Sequence, residues 1–169
     1  LAWTFFAGSA SMATGAIVDS GSLIKSIYFP RGILPLATVI FNFVQYLLAL
    51  LVLLPAMFLF YRIVPGWEAA LLPVVLVLLA AFTLGIALMM AASTAVFRDV
   101  RHLLDIALQV MFWATPILYN PSSFSPPARA LLSLSPLAPF IEAARAMLYY
   151  GVLPSPYLWL VAVLYAVTS

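Results

Sequence analysis

Seven Lys and Arg residues, five Asp and Glu residues and one histidine carry nearly all the acid–base chemistry available to this chain. The single lysine, Lys25, lies between Ile24 and Ser26, and none of the seven glycines precedes a lysine. A phosphate cradle of the form G-x-x-x-x-G-K-[ST] is therefore missing, so the sequence holds no ATP-hydrolysing site of that kind. One histidine, His102, rules out H-E-x-x-H metal chemistry, and no G-x-S-x-G nucleophile turn occurs. Without cysteine there is no disulfide framework and no thiolate metal site. Carboxylates deep in an apolar segment would suit proton coupling, but here the acids gather near predicted helix ends. Asp105 is the exception: Arg101, Asp105 and Gln109 fall on one helical face, and an Arg101–Asp105 pair that fixes a helix start outweighs a proton relay. The reading is of a chain with no catalytic residues, no metal site and no bound cofactor, whose energy source lies on another polypeptide.

The elements that carry these residues follow from composition. Hydrophobic residues make up 66% of the chain and charged residues 7%, and mean hydropathy is +1.18; an ordinary soluble domain is about 25% charged. A chain this apolar belongs in a bilayer. The charges divide it into five uncharged runs, 1–18, 32–61, 69–97, 106–128 and 146–169, on the scale of the about 20 residues a spanning helix needs. The expected fold is all-α: one polytopic transmembrane domain over 1–169, with spans near 1–18, 33–61, 67–97, 103–119 and 157–169. The start at Leu1, with no basic region ahead of it, and the finish inside an apolar run read as a fragment rather than a protein with a signal peptide.

Within the first run Ala7, Ser11 and Gly15 recur on one face, the spacing that favours close helix contact in lipid. Asn42 and Gln45 share a face of the second helix, which must look at protein or at a water-filled path; interhelical hydrogen bonding and substrate contact both satisfy that requirement. The third helix carries Ala87, Ala91 and Ala95 as a second small-residue stripe, and Pro116 is expected to kink the fourth. Residues 120–156 are rich in proline, and their helical pieces are too short to cross. A helix from about Leu137 to Tyr150 should end at Gly151, with Phe140, Ala144, Met147 and Leu148 on its apolar face and Glu142 and Arg145 off it. A re-entrant or interface-lying helical hairpin before the last span fits this pattern. Lys25 and Arg31 in one loop, and Arg98 and Arg101 two crossings later, place both loops in the cytoplasm against Arg62 alone in the turn between. Arg129 and Arg145 in the hairpin run against this rule.

The segment Leu23–Leu36, LIKSIYFPRGILPL, sets cations and aromatics beside two stiffening prolines. Lys25, Tyr28, Phe29 and Arg31 are of types favoured at contact centres, although headgroup anchoring accounts for them equally well. This segment resembles the one between the second and third spans of ABC-2-type permeases that export polysaccharides, lipid-linked O-antigen or capsule, and teichoic acids. VFRDVRHLLDIALQVMFWATPILY, Val96–Tyr119, is similar to that family's junction of the fourth and fifth spans, and SPLAPFIEAARAMLYYG, Ser135–Gly151, to its segment before the final span.

The resemblance implies spans two to six of a six-span permease in the bacterial cytoplasmic membrane. It implies a coupling segment over 19–32 that meets a cytoplasmic ABC ATPase through Lys25, Tyr28, Phe29, Pro30 and Arg31, with ATP and Mg on that partner. Arg98, Asp99, Arg101, His102 and Asp105 would form the cytoplasmic span junction, and residues 120–156, with Pro136, Phe140, Glu142 and Arg145, the external gate. Two permeases would enclose the path of a glycan or lipid-linked glycan. Phe112, Trp113 and Tyr119 are candidates for stacking on sugar faces, and Asn42, Gln45 and Gln109 for binding hydroxyls, with lipid-facing aromatic positions as the competing reading. Nucleic acid has no place among the partners. Gly32 stands where the family often has an acid, which alters the polar detail of the partner contact. An ABC-2 permease for drugs or small lipids is the nearest alternative; an ion-coupled carrier or channel is the alternative from another class.

Overall fold

The computed structural model describes residues 1–20, 30, 32–61, 66–115 and 135–169, with Tyr61 described in its backbone only. Among these residues the chain is all-helical: α1 (Ala2–Asp19), α2 (Ile33–Tyr61), a 3-10 turn (Trp67–Leu71) leading into α3 (Leu72–Val96), α4 (Val100–Ala114), α5 (Ala138–Arg145) and α6 (Pro156–Thr168). The all-α expectation holds. Two of the described helical stretches, 33–60 and 67–96, are long and apolar enough to cross a membrane.

Proline placement accounts for several helix starts. Pro35 lies in the first turn of α2, where its missing N–H costs nothing, and Pro73 and Pro156 open α3 and α6 in the same way. Pro55 lies inside α2 without ending it, as lipid-embedded helices tolerate. At the other end of the chain's punctuation, α5 widens into a π turn over Ala146–Tyr150 and stops at Gly151, whose φ of 59° is left-handed. The N–H groups of Gly151 and Val152 both donate to the Ala146 carbonyl, so this ending requires a residue with no Cβ penalty. Helix α4 begins one turn earlier than the sequence pattern suggests. The extended backbone of Phe97 breaks the chain (φ −124°, ψ 106°), and Asp99 then stands at the new N-terminus, where a carboxylate suits the helix dipole.

Helix α1 is the centre of the bundle, with α2, α3 and α4 packed around it. It runs antiparallel to α2, with Phe5 stacked on Tyr46 at 5.4 Å, and antiparallel to α4, with Trp3 against Phe112 at 5.5 Å. Phe82 of α3 is the hub that gathers the remaining elements. Its ring lies 5.7 Å from Phe6 of α1, 5.6 Å from Phe140 of α5 and 6.1 Å from Tyr165 of α6. Aromatic pairs in these arrangements add about 0.5–1.5 kcal/mol each beyond the area they bury.

The outward faces are as apolar as the core. On α2, Leu51, Val52, Leu59 and Phe60 are between 67% and 78% exposed, and α4 and α6 present Ile106, Val110, Leu160 and Val167 in the same way. A continuous apolar shell of this extent is compatible with hydrocarbon rather than water. Several hydroxyls in the bundle are satisfied within their own helix, whereas the buried Ser9 Oγ of α1 finds no partner among the described residues. Thr14, Thr38, Thr83 and Thr94 each donate to the carbonyl four residues back, so their hydroxyls need no partner across lipid. Two apolar helices of membrane-spanning length and the exposed apolar faces around them agree with a membrane protein.

Candidate functional site

Among the described residues, two of the polar assemblies are built on α1. The first lies at its Asp19 end. Ser11 and Gly15 of the small-residue stripe meet α4, and the same spacing continues one turn further to Asp19. Ser11 Oγ donates to Asp105 Oδ1 at 3.4 Å, and Arg101 Nη1 lies 3.6 Å from Asp19 Oδ2. Gly15 makes room for this clasp: a Cβ there would come 2.6 Å from the Asp19 carboxylate and 3.2 Å from the Arg101 guanidinium. Arg101 therefore pairs with Asp19 on the neighbouring helix, not with Asp105 on its own. Gly15, with no Cβ, leaves the guanidinium room to cross to Asp19. Arg98, Asp99 and His102 extend the same end as exposed groups.

The clasp has modest strength. Its partners are 51% and 64% exposed, and ion pairs that open to solvent contribute about 0.2–1 kcal/mol. Its value is positional: it ties the last turn of α1, from which the 21–31 segment leaves, to the first turn of α4. Pro30 is described and exposed, and its carbonyl accepts from Ile33 N–H at the start of α2. Lys25, Tyr28, Phe29 and Arg31 lie outside the described residues, as does Tyr119.

The second assembly is a cavity of about 180 Å³ between α1 and α2, lined by Leu1, Thr4, Phe5, Asn42, Gln45, Tyr46 and Ala49. Asn42 is buried and acts between helices: its Nδ2 donates to Thr38 O at 2.9 Å and lies 3.5 Å from Met12 Sδ on α1. Its Oδ1 rests on Gly8, where an added Cβ would sit 3.3 Å away. Gln45 is exposed, so the shared face splits, with Asn42 joining helices and Gln45 lining open space. Gln109, Phe112 and Trp113 do not reach this cavity. They lie on α4, on the other side of α1, where Phe112 packs edge-on against both Trp3 and Trp113.

The far end of α4 meets the helix that follows it in the structure. Thr115 Oγ1 donates to Met111 O at 2.7 Å and also lies 2.7 Å from Ser135 Oγ. Thr115 has a single proton, already committed to Met111, so Ser135 donates to Thr115. Both side chains are buried. From Ser135 the chain enters α5, whose Phe140, Ala143 and Met147 are buried against the bundle, with Ala144 and Leu148 half-buried beside them. Pro136, Glu142 and Arg145 are half-buried. Phe140 is thus a core residue under the Phe82 ring, and Ala143 shares its face.

Asp19, Thr115 and Ser135 had escaped the sequence reading. Asp19 was legible as the next step of the Ala7, Ser11, Gly15 spacing; the Thr115–Ser135 contact joins residues twenty apart and leaves no periodic trace.

The described residues form a helical membrane domain with a charged clasp at the Asp19 end of α1. The profile of the ABC-2 type transporter family matches residues 1–149, and the chain belongs to that family. It is 33% identical over 156 residues to the O-antigen export system permease protein RfbA of Myxococcus xanthus. Two proteins of the same name from Klebsiella pneumoniae are 27% and 26% identical. These alignments cover 91–92% of this chain and 60% of each relative, so the chain spans about three-fifths of their length.

Proposed function

We propose that this chain is the membrane subunit of an ATP-driven exporter, moving a polysaccharide or lipid-linked glycan across the bacterial cytoplasmic membrane. The observation that carries the proposal is the alignment of nearly the whole chain with three proteins named as O-antigen export permeases, within a family match over 1–149. The lack of a phosphate cradle in the sequence agrees with hydrolysis on a separate ATPase subunit.

The geometry supports a route for the work. The 21–31 segment links the last turn of α1 to the first turn of α2, and the partner ATPase contacts it through Lys25, Tyr28, Phe29, Pro30 and Arg31. A push there moves α1, and the Asp19–Arg101 and Ser11–Asp105 contacts pass the movement to α4. Helix α4 is about 22 Å long at 1.5 Å per residue, and at its far end Thr115 holds Ser135 and with it α5. The 120–156 region then acts as the external gate. Two copies of the permease enclose the path, with Asn42 and Gln45 offering hydroxyl-binding groups and Phe112, Trp113 and Tyr119 offering aromatic walls.

Affinity capture of the partner ATPase tests the reading. Changing Tyr28, Phe29 and Arg31 together to alanine should abolish capture while membrane insertion persists, and deletion of the gene should remove the surface glycan. Undiminished ATPase capture by the triple variant contradicts the proposed coupling.

A further inference from the structure

The cavity between α1 and α2 contains a hydroxyl that the bundle does not use. Tyr46 is 6% exposed, with its ring stacked on Phe5 at 5.4 Å, and among the described residues its Oη makes no hydrogen bond. Ser9 Oγ is the fully enclosed polar side-chain atom left without a partner there. The Tyr46 oxygen is therefore not sealed, and it opens onto the space its ring lines. Other polar groups of the cavity are engaged: Thr4 Oγ1 donates to Leu1 O at 2.7 Å and Asn42 Nδ2 to Thr38 O at 2.9 Å. Gln45 is exposed, and among the described residues its amide has no hydrogen-bond partner.

The chemistry of this lining selects its occupant. No side chain of the cavity is charged, so an ion placed there would lose its hydration with no opposite charge to replace it. The volume of about 180 Å³ corresponds to roughly six waters by liquid volume. A ligand that displaces ordered waters keeps its affinity only where its own groups repeat their hydrogen bonds. Hydroxyl groups both donate and accept, so they satisfy Tyr46 Oη and the Gln45 amide, whereas an aliphatic tail satisfies neither. Beyond Tyr46 on α2 the lining turns to Leu50, Leu53 and Met57, so the Tyr46 hydroxyl ends the polar stretch along that helix.

We propose that this cavity binds one uncharged sugar unit of the exported glycan, with Tyr46 Oη and the Gln45 amide hydrogen-bonded to its hydroxyls. The assignment rests on the export reading above and adds Tyr46 as the residue that selects hydroxylated cargo.

Photocrosslinking in cells that make the glycan, with the full-length permease and its ATPase, tests it. Thr4→p-azidophenylalanine sets a photoreactive group at the exposed rim of the cavity and leaves Tyr46 and Gln45 in place. Illumination should give a permease adduct that stains for carbohydrate, while Leu59→p-azidophenylalanine on the exposed face of α2 should give none. Adding Tyr46→Phe, which keeps the ring on Phe5, should lower the Thr4 adduct about fivefold, the value of one neutral hydrogen bond. Capture of the ATPase should be unchanged. The proposal is overturned by the absence of a carbohydrate adduct from Thr4, by an adduct with lipid or with another segment of the permease in its place, or by full yield with Tyr46→Phe. Loss of surface glycan on gene deletion, without a Thr4 adduct, strikes this site alone; persistence of the glycan after deletion removes the export reading and this site together.

Discussion

The joint between Thr115 and Ser135 makes an asymmetric prediction. Thr115 donates its proton to Met111 O, and Ser135 donates to Thr115. Replacing Thr115 with Val keeps shape but removes the acceptor, leaving the Ser135 hydroxyl buried with a proton and no partner. Met111 O still accepts from the Thr115 backbone N–H at 2.9 Å, so the cost falls on Ser135 alone. Replacing Ser135 with Ala removes a donor from Thr115, whose own proton stays bonded. Interhelical hydrogen bonds in membranes average about 0.6 kcal/mol and reach about 1.7. Thr115→Val should therefore cost about 1–1.5 kcal/mol and Ser135→Ala about 0.5. The double variant should cost less than the sum, because neither hydroxyl is then stranded. Unfolding of the full-length protein in mixed micelles, as the denaturing detergent fraction rises, reads these differences. A Ser135→Ala cost equal to or above that of Thr115→Val, or additive single costs, would refute the proton assignment and the joint.

Phe82→Ala should destabilise the protein by about 3 kcal/mol, the low end for an aromatic core deletion because lipid competes for the exposed surface; the same unfolding assay checks it, and a cost below about 1 would deny Phe82 its role as hub. Charge exchange at the clasp, Asp19→Arg with Arg101→Asp, should recover most of the about 0.5 kcal/mol lost by either single change, and the coupling should shrink as salt rises. Gln45→Trp should fill the 180 Å³ cavity and reduce surface glycan while leaving the melting temperature unchanged; undisturbed export would remove that cavity from the path.

Much of this architecture is written in the spacing of charges. The apolar run ahead of Arg62 becomes α2 over Ile33–Tyr61, and Gly151 ends the helix after Arg145 because its backbone adopts φ 59°. Of the Ala7, Ser11, Gly15 stripe, Ser11 and Gly15 meet polar side chains of α4, while the helices that pack most extensively on α1 are α3 and α2. What the spacing concealed are choices among partners. Arg101 had an acid one turn away on its own helix and takes Asp19 across the bundle, since side-chain reach depends on which helix Gly15 admits. Asn42 and Gln45 share a face by period but differ in burial, because α1 covers one and not the other. Long-range aromatic contacts such as Phe82–Phe140 arise from the packing of separate helices and have no sequence period to betray them.

The coupling account stands on the 21–31 segment facing the compartment that holds the ATPase. These 169 residues contain no cysteine, so Tyr28→Cys, made in a full-length protein cleared of any cysteine elsewhere, introduces a unique thiol. In intact cells a membrane-impermeant maleimide should leave that thiol unlabelled, and permeabilising the inner membrane should expose it. Labelling of Cys at position 28 from outside intact cells would place the segment on the wrong side and contradict the account.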